Sequence, residues 1–270
     1  MYERHWNLQR KPFENSPDPE FLYYSDQHEE ALMRLIYAVK ERKGAAILTG
    51  EYGSGKTTIS RALVEKLRND DPYEVALIAN PSLSANEFLA EILHQLKAGE
   101  VPAKKIAMLH RLEEILYCNL NNKRETVIII DEAQCIKRKE TLEELRLLLN
   151  FQLNDRFLLT LILVGQPEVK NKLNQVKQFK QRLGVRYYLK LLEEKETKNY
   201  IDYRLKVAGR DQPTFTDEAV RLIHSFSKGA PRDINNICDM SLLMGSVKKS
   251  SIVDDVIAKE VIEDLVSDFE

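Results

Sequence analysis

The stretch that most constrains the fold is Gly50-Glu51-Tyr52-Gly53-Ser54-Gly55-Lys56-Thr57, which lies between the apolar run Ala45-Ala46-Ile47-Leu48-Thr49 and a helical pattern starting at Thr58. A strand that feeds a glycine-rich loop, which in turn opens a helix, is the setting in which this spacing cradles phosphate. A triphosphate carries several negative charges that must be met at close range. Glycines at 50, 53 and 55 let the backbone fold inward and aim its N–H groups at phosphate oxygens. The positive end of the following helix adds to the attraction. Lys56 is the point charge expected at the β and γ phosphates, and Thr57 offers the hydroxyl expected at Mg²⁺. Glu51, Tyr52, Ser54 and Thr58 complete the loop and its exit as candidate nucleotide contacts.

Binding phosphate does not by itself imply hydrolysis; a second, acidic site does. The run Val127-Ile128-Ile129-Ile130 is followed by Asp131-Glu132. Four apolar residues bury the strand and set two carboxylates at its C-terminal end, where ligands bind in open α/β sheets. Asp131 is expected to hold Mg²⁺ through water, and Glu132 to polarise the attacking water. The alternative is a solvated acidic turn, which the phosphate loop disfavours.

Along the chain, residues 1–25 combine Pro12, Pro17 and Pro19 with Trp6, Phe13, Phe21, Tyr23 and Tyr24, so an irregular, non-helical segment is expected. Short apolar runs at 75–79, 126–130, 157–164 and 185–189 read as further strands buried in a parallel sheet. They alternate with helical patterns at about 26–42, 84–98, 103–121 and 139–152, and Ser84-Ala85-Asn86-Glu87 has a capping-box layout. After Leu191 only helical patterns remain, at about 193–208, 216–228, 232–247 and 254–265. The fold class is therefore α/β, a five-stranded parallel sheet between helices followed by a small all-helical domain. The boundary is expected at 190/191, with residues 1–25 counted in the first domain.

Apolar residues at 43% and charged residues at 30% fit an ordinary soluble protein, and a net charge of −2 argues against an overall basic field for nucleic acid. The N-terminus lacks a signal-peptide layout, and the longest apolar run, from Phe157, is too short to span a bilayer. Cys118, Cys135 and Cys238 are isolated, which suggests buried thiols in a reducing compartment and a cytoplasmic location.

Three further residues carry possible chemistry. Gln166, in Gly165-Gln166-Pro167, would touch the γ-phosphate or the lytic water, or else cap the next helix. Arg182, in a basic loop before the fifth strand, suits reaching a neighbouring subunit's nucleotide, with Arg186 as a rival. Arg232, in Gly229-Ala230-Pro231-Arg232, opposes the dipole of the helix it opens, so an anion such as a γ-phosphate would explain it.

This ordered set resembles an AAA+ ATPase: Gly50 to Thr57 as Walker A, Asp131-Glu132 as Walker B, Gln166 as sensor 1, Arg182 as arginine finger and Arg232 as sensor 2. More narrowly, Lys11-Pro12-Phe13, Pro17-Asp18-Pro19, Phe21-Leu22-Tyr23, His28, Gly165-Gln166-Pro167-Glu168 and Pro231-Arg232-Asp233-Ile234-Asn235 resemble the general secretion pathway protein A (ExeA) ATPases, over nearly the whole chain. The resemblance implies a helical lid, ATP held between lid and sheet, and neighbouring subunits completing the site. It also implies that the segment with Phe13, Pro17 and Tyr24 borders the adenine, whereas composition alone makes those aromatics core cover. Relatives of this kind assist secretion-system and pilus assembly or act as ATP-dependent helpers of transposases. Secretion members often continue into a membrane anchor and a peptidoglycan-binding domain; these residues end at Glu270 with neither, so a direct envelope role is not the expectation, and recruitment to the inner membrane by a partner is.

The first functional expectation is a cytoplasmic ATPase switch that forms homo-oligomers on ATP and remodels or recruits partner proteins of an envelope, secretion or surface-polymer assembly system. The second is a DNA-binding regulator of transposition type, on the basic stretch Lys170, Lys172, Lys177, Lys180, Arg182 and Arg186 with Lys248-Lys249. A nucleotide scaffold that hydrolyses little is disfavoured by the intact Lys56, Asp131 and Glu132.

Overall fold

The structure is a computed structural model that describes residues 1–16, 18–69 and 72–267. In chain order its elements begin with α1 (Glu3–Trp6), α2 (Asp26–Lys40), β1 (Ala45–Gly50), α3 (Lys56–Asn69), β2 (Tyr73–Ile78), α4 (Ala85–Gln95) and α5 (Lys105–Asn121). Then come β3 (Glu125–Ile130), α6 (Lys139–Leu148), β4 (Leu159–Gly165), α7 (Glu168–Asn174), α8 (Lys177–Arg182) and β5 (Leu183–Leu189). The last four are α9 (Glu194–Val207), α10 (Asp217–Ser227), α11 (Pro231–Val247) and α12 (Asp255–Ser267). They form two compact units: Gln27–Gly50 with Ile59–Leu189, and Met1–Asp26 with Glu51–Thr58 and the chain from Lys190 on.

The first unit is built on a five-stranded sheet of order β2-β3-β4-β1-β5 in which every paired neighbour is parallel. β1 and β4 are buried at every residue, as their unbroken apolar runs require. The register stacks Ala76, Ile128, Leu161 and Ala45 in one row and Ile78, Ile130, Leu163 and Ile47 in the next. Both rows enter one apolar core with Phe88, Leu89 and Ile92 of α4 and Leu112 and Leu116 of α5. Full burial of such a side chain contributes about 1.5–3 kcal/mol, so the strands β1, β3 and β4 are held rigidly and present their C-terminal ends as a fixed platform. β5 closes one side of the sheet and alternates: Leu183, Val185 and Leu189 are buried, whereas Gly184, Arg186 and Tyr188 are exposed. A register shift beside β1 falls at Gly184, which has no partner between the pairs Ala45/Leu183 and Ala46/Val185.

The capping box at Ser84 forms as the sequence indicates: its hydroxyl accepts from the Glu87 N–H, and the Glu87 carboxylate accepts from the Ser84 N–H at 2.8 Å. Ser84→Ala is expected to cost about 1 kcal/mol in urea denaturation, the usual loss at an N-cap, and no loss would show that α4 is held by its packing alone. α6 stops at Leu148 rather than near Gln152. Gln152 instead bridges Phe157 across a turn in which the Leu153 N–H donates to Arg156 O at 2.7 Å, and this delays β4 to Leu159.

The second unit packs α9 to α12 around Ile201, Leu205, Ile223, Ile234, Ile237, Leu242 and Ile257, and the N-terminal aromatics join this core. Residues 1–26 thus belong with the helical unit rather than with the sheet, where the domain boundary at 190/191 had put them. Nor is the segment free of helix. Glu3–Trp6 forms one turn, ended by Asn7 at φ 53°, and Pro19–Phe21 forms a 3₁₀ turn. Tertiary anchoring explains a turn that local sequence does not favour. The Trp6 indole is 1% exposed and donates to Leu242 O at 2.8 Å, and a β-carbon on Gly245 would come within 2.7 Å of its ring. Arg204, itself buried, donates to Pro12 O at 2.5 Å, to Glu14 O at 2.9 Å and to the Tyr200 hydroxyl at 2.8 Å.

Only Cys238 of the three cysteines is buried; Cys118 and Cys135 are exposed, contrary to the expectation of three buried thiols. Cys118 lies on the outer side of α5, and Cys135 in the turn after β3. Burial pushes the Cys238 thiol well up. An aromatic disulfide reagent at neutral pH is therefore expected to titrate two thiols in the native protein and three in denaturant; three fast native thiols would contradict the packing of α11.

Candidate functional site

The glycine loop leaves β1 at Gly50 and enters α3 at Lys56, the strand–loop–helix setting expected of the motif. Gly53 (φ 74°) and Gly55 (φ 93°) occupy the left-handed region, where a β-carbon is strained, so two of the three glycines are required by conformation. The loop tightens through Ser54 N–H to Glu51 O at 3.2 Å, and the buried Lys56 ammonium donates to Glu51 O at 2.7 Å. Thr57 and Thr58 sit in the first turn of α3.

Arg232 falls in the first turn of α11, with Ala230 as N-cap and Pro231 at the first helical position. Its guanidinium lies 4.9 Å from the centroid of the Tyr52 ring and is hydrogen-bonded to the Tyr52 hydroxyl. A β-carbon on Gly53 would meet the Arg232 β-carbon at 3.2 Å, so the loop and the start of α11 are in direct contact. Gly229 makes this approach possible. It has φ 81°, its carbonyl accepts from Leu192 N–H at 2.9 Å, and an added β-carbon would lie 1.9 Å from Leu192 O. The partner role of Tyr52 is absent from the sequence reading; the signal was an aromatic residue in a loop of small ones. Phe13 is 2% exposed and packs edge-to-face on Phe215, 6.1 Å between centroids, which is the core role that composition assigns it. Tyr24 is exposed, and Pro17 lies outside the described residues.

The acidic residues follow β3 as expected. Asp131 is 7% exposed; one oxygen accepts from the Glu132 N–H at 2.9 Å and the other lies 3.4 Å from the Ser60 hydroxyl on α3. Glu132 adopts φ 50°, ψ 38°, a left-handed conformation that costs a non-glycine residue energy. Its carboxylate accepts from the Gln134 side-chain amide nitrogen, and Gln134 Oε1 accepts from the Gln166 N–H at 2.9 Å. Gln166 therefore stands at the end of β4, linked to the acidic turn through a residue that the sequence reading passed over.

Arg182 is not in a loop: it ends α8, and its guanidinium donates to Leu149 O at 2.7 Å and to Asn150 Oδ1 at 3.0 Å, capping the chain after α6. Arg186 is exposed on β5, with one bond at 2.6 Å to Lys180 O. Of the basic stretch, Lys172 is likewise engaged, donating to Gln134 O and to Ile136 O. Lys170, Lys180 and Arg186 instead line a cavity of about 540 Å³ with Asn171, Asn174 and Tyr188.

The residues present fit a nucleotide and a hard cation. Loop glycines in the left-handed region, a 14-residue helix opening at Lys56 and a buried lysine suit polyphosphate, and a hydroxyl with a buried carboxylate suits Mg²⁺. A parallel sheet that places such a loop after β1, carboxylates after β3 and an amide after β4 defines an AAA-type domain. The chain belongs to the AAA domain family, which matches residues 39–173. It is similar to general secretion pathway protein A of Aeromonas hydrophila, with 39% identity over 256 residues, or 93% of this chain and 46% of that protein. The chain thus spans about half the length of that relative. Among solved structures it shares its fold with the Aeropyrum pernix ORC2 protein (TM-score 0.70, 15% identity, 95% of this chain and 71% of the other). It does so too with Drosophila ORC bound to DNA (TM-score 0.72, 18% identity, 97% and 66%) and the Thermotoga maritima RuvB branch migration motor (TM-score 0.60, 19% identity, 89% and 69%). Among the described residues no helix is long and apolar enough to cross a membrane.

Proposed function

We propose that this protein is a Mg²⁺-dependent ATPase switch that oligomerises on ATP and drives assembly or remodelling of partner proteins in a secretion or surface-polymer system. It would act in the cytoplasm, recruited to the inner membrane by a partner. The observation that carries the nucleotide reading is the packing of Arg232 and Tyr52 on a glycine loop that already holds a buried lysine. Lys56 would exchange its bond to Glu51 O for the β and γ phosphates, and the loop N–H groups would hold the remaining oxygens. Thr57 and Asp131 would hold Mg²⁺, which neutralises charge on the phosphates when bound. Glu132 would take a proton from the attacking water, Gln166 would orient that water or the γ-phosphate, and Arg232 would meet γ-phosphate charge. A neighbour's arginine would complete the site. Arg186, exposed on β5, suits that role better than Arg182, whose fork caps a carbonyl.

The secretion reading rests on the similarity to general secretion pathway protein A. A DNA-binding regulator is the second reading, favoured by the cavity that gathers Lys170, Lys180 and Arg186. Steady-state phosphate release with and without duplex DNA at low salt separates the two. A rate that ignores DNA supports the remodelling switch, and a DNA-stimulated rate supports the regulator. No rate above that of Glu132→Gln defeats both. Sedimentation with ATP and with ADP tests oligomerisation.

The stacking of Arg232 on Tyr52 should compete with the γ-phosphate. An exposed cation–π contact is worth about 0.5–1 kcal/mol, so Tyr52→Ala is expected to tighten ATP binding about two- to fivefold and leave ADP unchanged. Equal changes for the two nucleotides in a competition titration would show that Arg232 does not meet the γ-phosphate.

A further inference from the structure

The amide of Gln134 touches two parts of the acidic site at once: its nitrogen donates to Glu132 Oε2, and its oxygen accepts from the Gln166 N–H at 2.9 Å. A carboxylate only accepts and a backbone N–H only donates, so chemistry fixes which way the amide faces. The amide is itself held. Its oxygen lies 2.6 Å from where a β-carbon on Gly165 would stand, and Lys172 of α7 fixes the backbone that carries it by donating to the main-chain carbonyls of Gln134 and Ile136, the latter at 2.6 Å. The turn that carries Gln134 starts at Glu132 in a left-handed conformation, whose cost the bonds of Gln134 and Lys172 to the turn help offset.

We propose that Gln134 is a positioning residue for Glu132. It fixes Oε2 of the carboxylate, leaves Oε1 to accept the proton of the attacking water, and ties that setting to the backbone of Gln166 at the end of β4. The inference rests on the reading of Glu132 as general base. Without the amide, the Glu132 side chain spreads over several staggered rotamers, and only a fraction of them face the water. The nucleotide contacts of the phosphate loop do not pass through Gln134, so the loss appears in kcat and not in KM or in nucleotide affinity.

Two variants test this. Gln134→Leu removes both hydrogen bonds at similar size. Gln134→Glu keeps the acceptor for the Gln166 N–H but turns a second carboxylate toward Glu132 in place of a donor. Both are expected to lower kcat about tenfold, less than the 10²-fold that a 1 Å misplacement can cost, with KM and the Kd of a fluorescent ATP analogue unchanged. In the nucleotide-free protein, amide exchange at Gln166 measured by NMR should quicken in Gln134→Leu and stay slow in Gln134→Glu. If Gln134 is only a structural latch, Gln134→Glu retains the wild-type kcat, which overturns the proposal. Gln134→Leu with both wild-type kcat and a slowly exchanging Gln166 amide overturns it as well. A wild-type protein that hydrolyses no more ATP than Glu132→Gln removes the ATPase reading and this role together. Hydrolysis lost in Glu132→Gln but kept in both Gln134 variants removes this role alone.

Discussion

Glu132→Gln is expected to lower steady-state ATP hydrolysis about 10²- to 10⁴-fold, the usual contribution of a positioned general base. The amide is nearly isosteric with the carboxylate, so the turn after β3 and its left-handed backbone should survive. What is lost is the ability to accept a proton. Asp131, Lys56 and Thr57 are untouched, so ATP should still bind, and the variant should accumulate as an ATP-bound form. Phosphate release and retention of radiolabelled ATP on a filter measure the two effects separately. A rate within a fewfold of wild type would mean that another group activates the water, and the acidic turn would then serve structure alone.

Trp6→Ala should have the largest effect on stability. The indole is 1% exposed in the core of the helical unit, donates to Leu242 O, lies against Gly245 and has the Arg210 guanidinium 5.3 Å from its ring. Removing a buried tryptophan costs about 3–5 kcal/mol, a large share of the roughly 5–15 kcal/mol that holds a domain folded. The chain has one tryptophan, so the variant must be followed by circular dichroism, while wild-type fluorescence reports on the helical unit directly. A loss below about 1 kcal/mol in urea would show that the N-terminal turn is not part of that core.

The sheet could be read from the chain because parallel strands buried on both faces leave unbroken apolar runs. Ala45 to Leu48, Val127 to Ile130 and Leu161 to Val164 all appear in that form. The places of the Gly50–Thr57 loop after β1 and of Asp131-Glu132 after β3 could be read because an apolar run ends just before each. What stayed hidden depends on contacts between residues distant in sequence. Nothing near Glu3 signals a helical turn, which forms because Trp6 finds Leu242. Arg182 looks like a free cation in a basic stretch, but after α6 the Leu149 carbonyl and the Asn150 side-chain oxygen engage it. Gln134 is one polar residue in a turn until Gly165 and Gln166 are seen beside it. Composition and family resemblance assigned the aromatics of the N-terminal segment differently, and for Phe13 the core role is the one observed.

The exposed flank of β5 bears on how the molecule behaves when concentrated. The last strand of a sheet offers a row of backbone donors and acceptors to any other chain, and a long flat one invites aggregation. Here the register shift at Gly184 breaks the flat run near its start, Arg186 places charge within the strand, and Lys190 follows just past its end. Replacing both cations with valine would leave Leu183 to Leu189 as an apolar ribbon, which should reveal itself as turbidity at concentrations where the wild-type protein stays clear.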